Sequence, residues 1–89
     1  MFHAVYSRYF TIGSRSYETL DLAIEDLEGG KEADLHFPVG VYDDMTQTAH
    51  LFRFYLLSDE ELLQDIRHAC HIPATTDITV VPYTQLEKD

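Results

Sequence analysis

The sequence predicts an α+β fold: a single antiparallel sheet of four to five strands with two helices packed on one face. Three stretches carry that expectation. Residues 35–57 read as two apolar strands joined by a short polar turn. Ser58-Asp59-Glu60-Glu61 has the spacing of a capping box and opens an apolar helical stripe. Residues 19–30 carry a second stripe that runs into Gly29-Gly30. The resulting order is ferredoxin-like, β-α-β-β-α-β, with room for an extra short strand after Gly13.

Phe2 to Ile12 is rich in Tyr, Phe, Val, Thr and Ile, residues that favour the pleat, and is expected to form the first strand. Burying Phe2, Ala4, Tyr6 and Phe10 puts Arg8 on the same side, where it needs a partner or an exit at the sheet rim. Gly13-Ser14 is the turn signal that follows. Thr19 is then an N-cap for a helix whose Leu20, Ala23, Ile24 and Leu27 recur at i, i+3, i+4 and i+7. Gly29-Gly30 is expected to supply its left-handed stop.

Leu35, Phe37, Val39 and Val41 alternate with His36, Pro38, Gly40 and Tyr42, as the two sides of a strand do. Pro38 has no amide to donate, so this strand should lie at an edge or bulge there. Asp43 to Gln47 forms the hairpin loop, since Asp makes local turns through its own carboxylate. Ala49 to Leu57 returns as a strand that buries Phe52, Phe54 and Leu56. The capped helix runs over 59–70 with Leu62, Leu63, Ile66, Ala69 and Cys70 inward, and Pro73 closes it. Asp77 to Tyr83 is a last strand, frayed or at an edge near Pro82, and residues 84–89 form a flexible polar tail.

With 89 residues the chain is expected to be a single domain, 1–89. Sixteen acids against six bases give a formal charge of −10. That charge repels phosphate backbones and anionic bilayers, which disfavours nucleic acid and membranes and favours a basic protein partner. No apolar run approaches a membrane span, and the N-terminus lacks the basic and apolar regions of a signal peptide. The single cysteine, Cys70, fits a reducing compartment, so a cytoplasmic location is expected.

No motif points to a catalytic, metal or cofactor site, and none is assigned. His68, Cys70 and His71 lack the paired spacing of a structural zinc site. Cys70 falls on the buried stripe, where thiols are inert. Nucleophile-elbow, phosphate-loop, zinc-protease and dinucleotide signatures are all missing. The turn and the helix cap account for Asp43-Asp44 and Asp59-Glu60-Glu61.

With both helices on one face, the other sheet face would carry Tyr9, Tyr42, Arg53, Tyr55 and Tyr83 together with His3 and His36. Tyrosine joins a flat apolar ring to a polar handle and is favoured at interfaces. The expected function is therefore a small acidic protein-interaction module: an inhibitor, an immunity-type partner or a regulatory subunit. Asp21, Glu25, Glu28, Asp43 and Asp44 would face a basic partner. The alternative is a homodimeric ligand-binding protein or small enzyme, with a pocket between two tyrosine faces and His3 or His36 as proton carriers. A third reading, acidic mimicry of nucleic acid, would use the same carboxylates.

Overall fold

A computed structural model of the chain describes residues 1–33, 35–52 and 58–83. Its elements are β1 (Phe2–Arg8), β2 (Thr11–Tyr17), α1 (Leu20–Glu32), β3 (Phe37–Asp43), β4 (Thr48–Phe52), α2 (Asp59–Cys70) and β5 (Thr79–Tyr83). The five strands form one sheet in the order β2-β1-β3-β4-β5. Pairings β1–β2, β1–β3 and β3–β4 are antiparallel, whereas β4–β5 is parallel. The fold is α+β with a mixed sheet, not a purely antiparallel one, and its strand order is not ferredoxin-like.

The difference begins at β2. The extra strand is seven residues long and takes the free side of β1. In a ferredoxin-like sheet the last strand returns to that side. With it occupied, β5 adds outside β4. Both crossovers, β2–α1–β3 and β4–α2–β5, then move across the sheet in the same direction. Their starting strands point opposite ways, so right-handed crossovers place the two helices on opposite faces.

The packing shows this arrangement. Ala23, Ile24 and Leu27 of α1 cluster with Ala4, Val41 and Phe52. Leu62 and Ile66 of α2 cluster with Val5, Ala49 and Leu51. Ala4 and Val5 are neighbours in one strand, point to opposite faces, and are each fully buried. The expectation of both helices on one face is thereby corrected, and the sheet has no open tyrosine face over Tyr42.

Several local expectations hold. Ser58 and Glu61 make both bonds of the capping box: Ser58 N donates to Glu61 Oε1 at 2.9 Å, and Glu61 N donates to Ser58 Oγ at 3.2 Å. Helix α2 ends at a left-handed His71 (φ 57°). Asp43 closes the β3–β4 turn, accepting from Met45 N at 3.0 Å and from the Thr46 hydroxyl at 2.8 Å. Pro38 sits at a bulge: Val5 pairs with Gly40 and Tyr6 with Pro38, so Val39 is skipped. The skip reverses the alternation, which is why Val39 and Val41 join clusters on opposite faces.

Two expectations are corrected. The chain turns at Tyr9-Phe10, not at Gly13-Ser14, which lies inside β2. Helix α1 runs through Gly29-Gly30 to Glu32, and neither glycine has a positive φ. Expectations for residues 53–57 and for the tail 84–89 fall outside the described residues.

Candidate functional site

The β1–β2 hairpin builds one end of the sheet. Arg8 pairs with Thr11, leaving Tyr9 and Phe10 as a two-residue loop. Their φ values are 50° and 65°, and positive φ at both central positions is the requirement of a type I′ turn. Tyr9 is 82% exposed and Phe10 is 105% exposed. The Arg8 guanidinium stands 5.2 Å from the centroid of the Tyr9 ring, within cation–π range.

Below the turn, on the α1 side, β1, β2 and the entry to β3 enclose a groove of about 340 Å³. It is lined by Tyr6, Arg8, Thr11, Gly13, Arg15 and His36, with Tyr9 and Leu35 at its mouth. Tyr6 lies over Gly13 of the edge strand, where any Cβ would come 2.7 Å from the phenol. Tyr6 also stacks on His36, ring centroids 4.7 Å apart. Arg15 lies 5.4 Å from the Tyr6 centroid and donates to Asp26 Oδ1 of α1 at 3.0 Å.

His36 is the buried member, 8% exposed. Its ring packs so closely on α1 that a Cβ at Gly30 would come 2.1 Å from Cε1 and Nε2. Among the described residues, neither His36 Nδ1 nor Asp26 Oδ2, both buried, has a hydrogen-bond partner. Burial pushes the His36 pKa down; Asp26 opposes this, and Arg15 and Arg8 add to it. Tyr17, next to the same carboxylate, is pushed up by burial and then by Asp26. Among the described residues the groove walls carry two of the chain's six basic residues and no acid.

A second cluster lies on the α2 side, where His3 is in register with Ser16 and Tyr42. Ser16 Oγ is 2.9 Å from His3 Nδ1, and His3 Nε2 is 2.8 Å from Asp44 Oδ2. The N-terminal ammonium donates to the other Asp44 oxygen at 2.9 Å. These bonds hold the Asp44 carboxyl below the usual carboxylate range, the His3 bond first. The order serine, imidazole, carboxylate is that of an activated nucleophile. The bonds run from Ser16 on β2 through His3 on β1 to Asp44, so the cluster braces β1 and β2 to the β3–β4 turn.

Of the seven residues expected on one tyrosine face, the structure separates Tyr9, Tyr42, His3 and His36. Tyr9 is in the hairpin loop. Tyr42 is buried against α2, 5% exposed, and its hydroxyl pKa is raised by that burial. His3 is in the brace, and His36 lies under α1. Tyr83 pairs with Phe52 along β5, and Arg53 and Tyr55 lie outside the described residues. Of the acids, Asp21, Glu25 and Glu28 do share a surface on α1, around Ile24. Asp43 and Asp44 are engaged in the turn and the brace. Among the described residues no three His, Cys, Asp or Glu are placed to hold a metal ion, and no helix is long and apolar enough to cross a membrane.

Sequence reasoning missed Tyr6, Arg15 and Asp26 as a group. The available signal was the facing of Arg8. Once the turn is placed at 9–10, Tyr6 and Arg8 share a face with Gly13 and Arg15.

The fold defines a mixed-sheet α+β protein with a basic, aromatic groove at one sheet end. Protein-family models, curated proteins and solved structures provide no match to the chain.

Proposed function

We propose that the chain is a small protein-interaction module whose contact surface is the β1–β2 turn together with the neighbouring Leu35. The observation that carries this reading is the pair Tyr9-Phe10, two exposed aromatic rings on a positive-φ backbone. Such a backbone costs a bulky residue on the order of 1–3 kcal/mol, and Asn-Gly makes the same turn at lower cost. Neither ring supports the core. Aromatic side chains are, however, the residues that anchor interfaces. The partner this surface fits has an apolar recess for the two rings. Asp21, Glu25 and Glu28 on α1 favour a partner of net positive charge, because complementary charge speeds encounter.

A photo-crosslinking residue at position 10 tests this against the same residue at position 45. Met45 is also highly exposed, at 82%, and lies in the turn at the other end of β1. Adducts should form from position 10 alone, and an excess of the unlabelled parent protein should suppress them while Phe10→Asp should not. An adduct of two chains would identify the partner as a second copy. Equal adducts from both positions, or full competition by Phe10→Asp, would reject the reading.

A further inference from the structure

We propose that the groove between Arg8, Arg15 and His36 binds the oxyanion of a small molecule, a phosphate or a carboxylate group. This inference does not depend on what contacts the turn. Three observations point the same way.

The first is charge. The chain carries −10, yet among the described residues this groove presents two arginines and an imidazole and no acid in its walls. Among the described residues no carboxylate lies within ion-pair distance of Arg8, whose guanidinium rests on Tyr9 at the mouth. Arg15 is fixed from behind by Asp26 and from the side by the Tyr6 ring. A guanidinium held in this way keeps donors free for a second oxyanion, and its planar fork suits both phosphate and carboxylate.

The second is the buried histidine. His36 is more than nine-tenths buried, lines the groove, and has an unpartnered Nδ1. A buried polar atom without a partner is costly. An anion in the groove would favour a protonated His36, whose pKa is lowered first by burial and further by the Arg15 and Arg8 charges. The charged groups facing the ring are Asp26 from α1, Arg15 from β2 and Arg8 from β1.

The third is size. The groove's volume of about 340 Å³ is at the lower end of the range of small-molecule sites, about 300–1,000 Å³. Tyr6, Tyr9 and Leu35 supply the apolar walls that such sites combine with a few polar groups. The groove is half open, so binding should be modest and sensitive to salt.

The test is a titration of the full chain with inorganic phosphate and, separately, benzoate, each against chloride at matched ionic strength and pH, followed by amide and imidazole NMR. At least one probe should saturate, shifting Gly13 and the His36 ring and leaving the Ser58 amide at the start of α2 unmoved. Stronger binding of phosphate or of benzoate tells which oxyanion the groove prefers. Arg8→Gln, at an exposed position, should weaken binding about tenfold, and Arg8→Lys should restore only part of it, since Lys lacks the fork. Two results would overturn the proposal: no saturation by either probe, or saturation that leaves His36 unmoved and survives Arg8→Gln.

Discussion

Gly29 and Gly30 are adjacent, both helical, and opposite in what they tolerate. A Cβ at Gly29 meets nothing within 4 Å, whereas one at Gly30 meets the His36 ring at 2.1 Å. Gly29→Ala should raise stability by about 0.5–1 kcal/mol, because glycine loses more backbone freedom in a helix than alanine. Gly30→Ala should lower it by about 1–3 kcal/mol through overpacking of the histidine. Urea denaturation of the two variants beside the parent checks both signs. The same histidine makes stability depend on pH. The folded pKa of His36 is lowered from 6.5 mainly by burial, and that of half-buried His50 is lowered for the same reason. Below pH 6.5 the unfolded chain takes up protons that the folded chain resists, so stability is complete above that value and is lost as pH falls towards the folded pKa values. Denaturation midpoints should decline from pH 7 to pH 5, and His36→Gln should make the decline shallower. An unchanged slope in that variant would mean that His36 does not contribute.

At the scale of elements, the β1–β2 hairpin trades stability for an exposed surface. Replacing Tyr9-Phe10 with Asn-Gly relieves two positive-φ positions and should stabilise the protein by about 1 kcal/mol or more. A thermal melt measures the gain, and the crosslinking assay should show binding lost in the same variant. A stabilised variant that still binds would separate the strain from the contact. This turn also marks the limit of what sequence pattern reveals. Helix α2 was legible from end to end because its start is written locally in Ser58 and Glu61. The β3–β4 turn was legible through Asp43. The first turn was not, because Tyr9-Phe10 carries no turn residue and continues the strand-like run, while Gly13 offered a false signal five residues after Arg8. Gly30 misled in the same manner, since its role is space for a ring from another element and not a helix stop. The groove inherited both errors: Arg8, Arg15 and His36 meet only when the turn and the end of α1 are placed correctly.

At the scale of the whole molecule, crossover handedness explains why both faces of the sheet are covered. Once β2 holds the outer side of β1, β5 can add only beyond β4, and right-handed connection sends α2 to the face opposite α1. Central strands then need apolar residues on both sides, and β1 supplies them in Ala4 and Val5, both fully buried. A sheet with both helices on one face would leave one of these two positions open to solvent, where a carboxylate is harmless. In the fold described here neither position can accept one. An unpaired buried charge costs several kcal/mol, against a total stability of about 5–15 kcal/mol for a domain. Ala4→Asp and Val5→Asp should therefore both lose the cooperative unfolding transition, or retain it only at much reduced denaturant. Thr11→Asp at the exposed end of β2 should leave it nearly unchanged. Circular dichroism during urea titration distinguishes the cases. A folded Val5→Asp beside an unfolded Ala4→Asp would mean that α2 does not cover the second face, and the assignment of Tyr42 to the core would fall with it.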